Sequence, residues 1–304
     1  MIGTVGANRL QIKAADMSIS PPDSSSDESR RSNACAALDA DDFARVVEAA
    51  ELYVSSRSAL MSFVSILGNL VHHGLRRLPE EWRNDIVNKI SETLDFALRV
   101  SIARMDDRPG RKSSGGRYIA IAVATGAGGG AFGLPSVLAE LPITTGLILR
   151  SIADIGRSCG ERLDDPEFRA TCIEVFAYGT PLDEEDEEIA FVLARMGAIE
   201  SASKISELVG RIAVRYAATL APKIAAMSVP VTGAVLGAGV NWAYMNFYQS
   251  VARVLFMLLP IERKHDPAQV RSCFSSLVRE LRNKRGARAH ASRAGVSKGR
   301  GASG

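Results

Sequence analysis

Two stretches of this chain are rich in glycine and carry no charged residue over unusual lengths. The first runs for 22 residues from Tyr118 to Ala139, and the second runs for 29 residues from Ile224 to Ala252. Each is long enough to cross a bilayer as a helix. So much small, uncharged surface predicts either close helix packing or contact with a membrane. We expect the two stretches to form a central pair of glycine-rich apolar helices.

Glycines four positions apart lie on one face of a helix. Three such pairs occur in the two stretches: Gly126 with Gly130, Gly129 with Gly133, and Gly233 with Gly237. Because these positions have no side chain, two helix backbones can approach each other closely there. We therefore predict that the six glycines are helix-packing residues and that the two stretches pack on each other. Such packing suits a soluble core as well as a lipid environment.

The first stretch also contains a weak match to a nucleotide-binding loop. Gly126, Gly128 and Ala131 fit the pattern G-x-G-x-x-A, and the residues before them have the composition of a strand. A dinucleotide fold needs a helix that continues from the loop and then a second strand, whereas Pro135 and Pro142 follow here. No Lys-Ser or Lys-Thr pair follows the glycines, which excludes a Walker loop. We predict no cofactor.

The composition of the two stretches disfavours stable insertion into a membrane. Alanine and glycine contribute little transfer free energy, and Asn241, Asn246 and Gln249 are costly in lipid. The second stretch contains four aromatic residues: Trp242, Tyr244, Phe247 and Tyr248. We expect shallow membrane association with these residues at the headgroup level. Two alternatives stay open, namely an aromatic stripe that belongs to a protein core and full insertion.

Glu140 is the only charged residue between positions 118 and 149. A buried carboxylate needs a hydrogen-bonding partner or a raised pKa, which makes Glu140 a candidate functional acid. We favour the structural alternative, in which Glu140 pairs with an arginine such as Arg150 or with a backbone donor. Arg150, Asp154 and Arg157 follow at spacings of four and three residues. This is the spacing of structural ion pairs along a helix.

Side-chain sets that catalysis usually requires are missing from the sequence. The four cysteines are scattered without a CxxC pair or nearby histidines: Cys35, Cys159, Cys172 and Cys273. We therefore predict neither a zinc site nor a disulfide framework, and a reducing cytoplasm as the compartment. The histidines have no convincing serine or cysteine partner. We predict no catalytic residues and no metal, and the first residues do not have the pattern of a secretory signal.

The two ends of the chain differ in composition from the part between them. Residues 1–37 contain the polar run SPPDSSSDESRRSN, which predicts a disordered arm. Residues 283–304 are basic and contain glycines that interrupt helices, so we expect a second disordered tail without the aromatic residues needed for specific nucleic-acid binding. Apolar residues recur every three to four positions between these ends. This periodicity predicts an all-α, multi-helix bundle formed by one domain over residues 38–282.

Two segments of the chain resemble the EcsC family. They are GAFGLPSVLAELPITTGLILRSIADIGRSCGERLDDPEFRATCIEVFAYG and VPVTGAVLGAGVNWAYMNFYQSVARVLF, within a match that covers about residues 118–261. The resemblance makes Gly133, Glu140, Pro142 and Asp154 shared structural landmarks. It implies a bacterial protein encoded beside an ABC transporter, with effects on secretion and with no established catalytic residues.

These observations lead to one main hypothesis and two alternatives. The main hypothesis is a non-enzymatic, cytoplasmic EcsC-like protein, peripheral to the inner membrane, whose partners are inner-leaflet lipid and a membrane transport complex. The first alternative is an enzyme or small-ligand binder that uses Glu140 in an apolar pocket. The second is a soluble helical scaffold. The sequence does not indicate an oligomeric state.

Overall fold

Five α-helices carry the described part of the chain in a computed structural model. They are α1 (Ala40–Leu75), α2 (Gly115–Ala131), α3 (Leu134–Ser158), α4 (Thr232–Glu262) and α5 (Pro267–Arg300). The structure describes residues 35–75, 105, 108, 110–131, 134–165, 167–168, 171–172, 174–175 and 232–300. No strand occurs in these residues, so the all-α prediction is confirmed. The predictions for residues 1–34, Gly133 and residues 301–304 lie outside them.

The glycine-rich region after Tyr118 is helical where a nucleotide loop would need a strand. Helix α2 runs without a break from Gly115 to Ala131, through every glycine of the G-x-G-x-x-A match. Pro135 lies in the first turn of α3, where a missing N–H costs nothing, and Pro142 lies inside the same helix. The two prolines therefore do not divide this region, and the nucleotide-loop alternative is wrong.

The chain divides into two compact units. The terminal unit consists of Met1–Glu51 and Met257–Gly304, and the central unit consists of Leu52–Phe256. This division differs from the single domain expected over residues 38–282. The terminal unit joins the two ends of the chain through contacts between residues more than 200 positions apart. Helical periodicity reports only local spacing, so it contains no sign of such contacts.

A disulfide bond joins Cys35 to Cys273 in the terminal unit. The two Cα atoms lie 5.0 Å apart, although 238 positions separate the residues in sequence. The prediction that the chain has no disulfide is therefore wrong, because cysteines brought together by the fold leave no spacing motif. Cysteine usage also stops being an argument for a reducing compartment. Two further cysteines are free, Cys159 at the surface and Cys172 in the interior, where burial raises the pKa of the Cys172 thiol.

Helix α5 continues far into the basic end of the chain. We expected disorder from residue 283 onward, but the helix extends to Arg300. The segment is rich in alanine, arginine and lysine, which are strong helix formers. A Cβ atom added to Gly286 would meet nothing within 4 Å. A glycine in a helix interior costs only about 1 kcal/mol relative to alanine, so the neighbouring residues can outweigh it. The prediction of a disordered segment over residues 283–300 is wrong for this reason.

The aromatic residues of α4 separate into core and surface. Tyr244, Phe247 and Tyr248 are buried in the central unit, where the rings of Phe247 and Tyr248 meet edge to face. Trp242 alone among the four is exposed, with 51% of its surface accessible. The expectation that all four lie at a headgroup level is therefore wrong for three of them. Their helical spacing placed them on the buried face of α4.

Candidate functional site

Helices α2 and α4 run antiparallel, and their backbones meet at two glycine pairs. A Cβ atom added to Gly126 would collide with the carbonyl oxygen of Gly237, and one added to Gly130 would collide with that of Gly233. Gly130, the later glycine of α2, faces Gly233, the earlier glycine of α4, so the two helices run antiparallel. Four of the six predicted helix-packing glycines thus come together at one contact. No side chain fits between the helices here.

The remaining glycines of α2 show that the helix has two different faces. Gly129 is buried, and its carbonyl oxygen accepts a hydrogen bond from the Ser136 hydroxyl of α3. Gly128 is exposed, and a Cβ atom added there would meet nothing within 4 Å. Gly133 lies outside the described residues. The glycine contact is therefore confined to one face of α2, and the opposite face is open.

A buried polar layer joins α2, α3 and α4 beside the glycine contact. We call it the glutamate layer. The Asn241 side-chain amide donates to the Ala122 carbonyl oxygen and to Glu140 Oε1, each at 2.7 Å. The Thr144 hydroxyl also donates to Glu140 Oε1. All three side chains are buried, so these bonds satisfy groups that would be costly to leave unpaired.

Two partners of Glu140 were not expected from the sequence. Glu140 meets a threonine and an asparagine, whereas Arg150 hydrogen-bonds the Tyr118 side chain. Sequence reasoning assigned no role to Thr144 and treated Asn241 only as a cost in lipid. The sequence contained one signal for the role of Asn241, since its side-chain amide lies in a run of 29 residues without a charge. A buried amide must find hydrogen-bonding partners.

The glycine contact and the glutamate layer depend on each other. A Cβ atom on Gly126 would lie 2.6 Å from the Asn241 side-chain nitrogen as well as against the Gly237 backbone. Asn241 reaches the Ala122 carbonyl only because Gly126 has no side chain. The close approach of α2 and α4 is therefore what allows a side chain of α4 to bond both α2 and α3.

A second layer repeats this arrangement about two helical turns away, and we call it the glutamine layer. The Gln249 side-chain amide donates to the Gly115 carbonyl oxygen and to the Ser151 hydroxyl, each at 2.9 Å. Its members come from the same three helices as the glutamate layer. The separation is seven residues on α2 and α3 and eight on α4, or about two turns in each helix. The layers thus fix the helices in register.

An ion pair forms a third layer at the start of α2. The Arg157 guanidinium and the Asp154 carboxylate lie 2.5 Å apart, and both are buried. Asp154 also accepts a 2.6 Å hydrogen bond from the Ser114 backbone N–H, and Arg157 donates to the Arg108 carbonyl oxygen at 2.9 Å. The structure therefore brings together two of the three predicted ion-pair residues. Burial raises the pKa of the nearby Tyr118 hydroxyl, and the charge of Asp154 raises it further.

The chemistry available in these layers is structural. Thr144 and Glu140 form a hydroxyl–carboxylate pair, but they are only 3% and 5% exposed, so a substrate has no access to their oxygen atoms. The glutamine layer pairs an amide with a hydroxyl and a carbonyl, none of which is a base at neutral pH. The polar side chains of the glutamate and glutamine layers join helices to one another, and the ion pair joins α3 to the segment before α2.

A charged cluster lies in the terminal unit, at the start of α1. The buried Asp42 carboxylate accepts hydrogen bonds from the Lys264 ammonium at 3.2 Å and from the His265 ring at 3.1 Å. Burial alone would raise the pKa of Asp42, but the hydrogen bonds and positive charges of His265 and Lys264 outweigh it, so its pKa lies below the usual value. Asp39 caps the helix by accepting the Asp42 N–H at 2.8 Å.

This cluster is the place in the described residues where a metal ion could find ligands. Asp39, Asp42 and His265 each offer one ligand atom, and these atoms lie within 4.8 Å of one another. A cavity of about 410 Å³ opens beside Asp39, Asp42 and Lys264. The Asp42 oxygens already bind an ammonium and an imidazole, so the arrangement is an ion-pair cluster in which Lys264 occupies the position of a cation.

Comparison with known proteins identifies the family of this chain. None of the described helices combines the length and the apolar character that a membrane crossing requires. No curated protein and no solved structure matches the chain. The model of the EcsC protein family matches residues 56–258. This range includes the three polar layers and both glycine-rich stretches. The chain therefore belongs to the EcsC protein family.

Proposed function

We propose that this protein is a non-enzymatic, peripheral membrane protein that assists a transport or secretion system. The observation that best supports this proposal is a set of large apolar side chains on the surface of the central unit. Ile143, Val235 and Trp242 are 54%, 76% and 51% exposed, although the same helices bury many other apolar residues. Single exposed apolar residues are common on protein surfaces, whereas a group of them marks a candidate site for a partner or a membrane. Trp242 favours a membrane, because tryptophan is enriched at the water–lipid interface.

The organisation of the interior supports the non-enzymatic part of the proposal. Two buried acids of the central unit, Glu140 and Asp154, hydrogen-bond to neighbouring side chains or backbone groups. Membership of the EcsC family supports the accessory role, since the resemblance implies a component that acts beside an ABC transporter in bacteria.

Cell fractionation tests the membrane part of this proposal. We expect the full-length protein in the membrane fraction, with release by alkaline carbonate and partial release by high salt. Recovery in the soluble fraction before any wash would favour the scaffold alternative. Retention after carbonate would show integral insertion. Deletion of the gene, followed by quantification of secreted proteins, tests the accessory role: unchanged secretion would contradict it.

The Glu140→Gln variant tests the ligand-binding alternative. Glutamine retains a side-chain oxygen that can accept from Thr144 and Asn241, so we expect a loss of about 1 kcal/mol in the free energy of unfolding. Membrane association should be unchanged. A small molecule that native mass spectrometry detects on the wild-type protein and not on the folded variant would instead support a ligand site at Glu140.

A further inference from the structure

Three exposed apolar side chains lie at one level of the central unit. Ala122, Thr144 and Asn241 belong to the glutamate layer, so these three positions of α2, α3 and α4 share a level along the helix axes. The residue next to each of them in sequence is a large, exposed apolar residue. These neighbours are Ile121 on α2, Ile143 on α3 and Trp242 on α4. We call these three residues the apolar ring.

Beyond the apolar ring, the three helices carry no exposed charge among the described residues. This part comprises residues 122–131 of α2, 134–142 of α3 and 232–241 of α4, and we call it the uncharged end. Its one charged residue, Glu140, is buried in the glutamate layer. The uncharged end is about 15 Å long, from ten residues at 1.5 Å each. Among its side chains whose exposure the structure describes, the exposed residues are alanines, Gly128 and Val235.

On the other side of the ring, the exposed residues include several cations. Arg117 is exposed four residues before Ile121 on α2, about 6 Å along the axis, and Lys112 is exposed just before that helix. Arg253 is exposed on α4, eleven residues after Trp242. The uncharged end, the apolar ring and the cations therefore follow one another along the helix axes. Acyl chains, interface and anionic headgroups follow one another in the same order in a bilayer leaflet.

We propose that the uncharged end inserts into the interface of an anionic bilayer as far as the apolar ring. This inference rests on the proposed function and names the surface that carries it. The three ring residues are on three different helices at one level, so a flat, continuous medium such as a bilayer surface can cover all of them at once. The depth, about 15 Å, is roughly half of the hydrocarbon thickness of a bilayer, so the helices do not span it.

Tryptophan fluorescence measures the insertion directly. The chain has two tryptophans, so a Trp82→Phe variant leaves Trp242 as the single reporter. We expect a blue shift on addition of vesicles that contain roughly one third anionic lipid. Bromine atoms near the headgroup end of the acyl chains should quench Trp242 more strongly than bromine atoms near the bilayer centre. Neutral phosphatidylcholine vesicles should give a smaller shift, because they lack charge for the cations to bind.

A charge placed in the uncharged end should weaken vesicle binding. Val235→Glu adds a carboxylate at a position that is 76% exposed, so folding should be preserved. We expect its partition coefficient onto anionic vesicles to fall by about tenfold or more. The matched control is Ala268→Glu, which adds the same charge at an exposed position of α5 in the terminal unit. Its partition coefficient should change less than about threefold, the screened effect of one exposed charge.

The outcomes separate this inference from the proposed function. If wild-type protein binds vesicles while Trp242 shows neither a shift nor quenching, another surface makes the contact: the insertion proposal is overturned and membrane association stands. Equal binding by the Val235→Glu variant and the wild type leads to the same conclusion. If the wild-type protein binds neither vesicle type, both proposals fail. If the Trp82→Phe variant does not fold, the Val235→Glu and Ala268→Glu comparison decides alone.

Discussion

The central and terminal units use different means to hold their helices. In the central unit, α2 and α4 touch through glycine backbones, and side chains of α3 and α4 donate hydrogen bonds to backbone carbonyl groups of α2. In the terminal unit, a disulfide and a charged cluster join segments that are more than 200 residues apart. The first arrangement lies in the family-matched region, and the second lies outside residues 56–258.

The difference between the two units shows which contacts can be predicted from an amino-acid sequence. Backbone contact between helices requires small residues at fixed spacing, so it leaves a local pattern such as Gly126 with Gly130. A disulfide or an ion pair between distant segments needs only one residue on each side. Such a pair has no local pattern. The glycine contact of the central unit is therefore open to prediction, whereas the disulfide and the charged cluster of the terminal unit are not.

The largest effect should come from Gly130→Ala. The added methyl group would meet the Gly233 backbone, which cannot rotate away, so we expect a loss of at least about 4 kcal/mol or no folded protein. Gly128→Ala is the control on the open face of the same helix, and it should raise stability by about 0.5–1 kcal/mol. Urea unfolding followed by circular dichroism measures both. Similar effects of the two substitutions would contradict the backbone contact.

Removing the buried ion pair of the central unit should have the next largest effect. Asp154→Ala leaves the buried Arg157 guanidinium without its carboxylate and the Ser114 N–H without its acceptor, at a cost of about 3–4 kcal/mol. The exposed Arg162–Asp164 pair supplies the control, because Asp164→Ala should cost less than about 1 kcal/mol. Denaturant titration would refute this account if the two variants lost equal stability.

The disulfide of the terminal unit should contribute about 3 kcal/mol under oxidising conditions. Cys35→Ser removes the link between residues 35 and 273 and so releases a long loop in the unfolded chain. We expect this loss in thermal or urea unfolding without reductant, and no difference from the wild type in excess dithiothreitol. Cys159→Ser, at an exposed free thiol, should behave like the wild type in both buffers. A reductant-independent effect of Cys35→Ser would rule out the bond as its cause.

The smallest effect should come from the charged cluster, and it should depend on pH. The pKa of Asp42 is lowered in the folded state, so its stabilisation is complete above the unfolded value of 3.8 and is lost as the pH falls through the lower folded value. At neutral pH, Asp42→Asn should cost about 1–2 kcal/mol. The gap to the wild type should close in acid below pH 3.8. Asp41→Asn, which removes an exposed charge beside it, controls for net charge.

A gap between the Asp42→Asn variant and the wild type that stays constant from neutral pH into acid would show that the Asp42 carboxylate does not interact with Lys264 and His265 as a charge.

The parts of the fold that could be predicted share a short-range origin. The all-α class followed from the periodicity of apolar residues, and the meeting of α2 with α4 was expected from the spacing of their glycines. Asp165 stands directly before a proline in the sequence, a pattern typical of a helix start, and it accepts the Glu167 N–H at 2.9 Å. Each of these depends on residues within one or two turns.

The features that could not be predicted depend on which face of one helix packs against which face of another. The partners of Glu140 became known only when α4 placed Asn241 beside it, 101 positions away in sequence. The exposure of Trp242 among buried aromatic residues depends on the rotation of α4 against its neighbours. The helical basic end was missed because single glycines were given more weight than the helix formers around them.

A double-mutant cycle between Glu140 and Asn241 tests most directly whether the glutamate layer joins α3 to α4. The free energies of unfolding of the wild type, Glu140→Ala, Asn241→Ala and the double variant give the coupling energy. Glu140→Ala combined with Gln249→Ala is the control, since the two layers lie about two turns apart. We predict a coupling of about 1–3 kcal/mol for the first pair and less than about 0.5 kcal/mol for the control. Equal, near-zero values for both pairs would contradict the account.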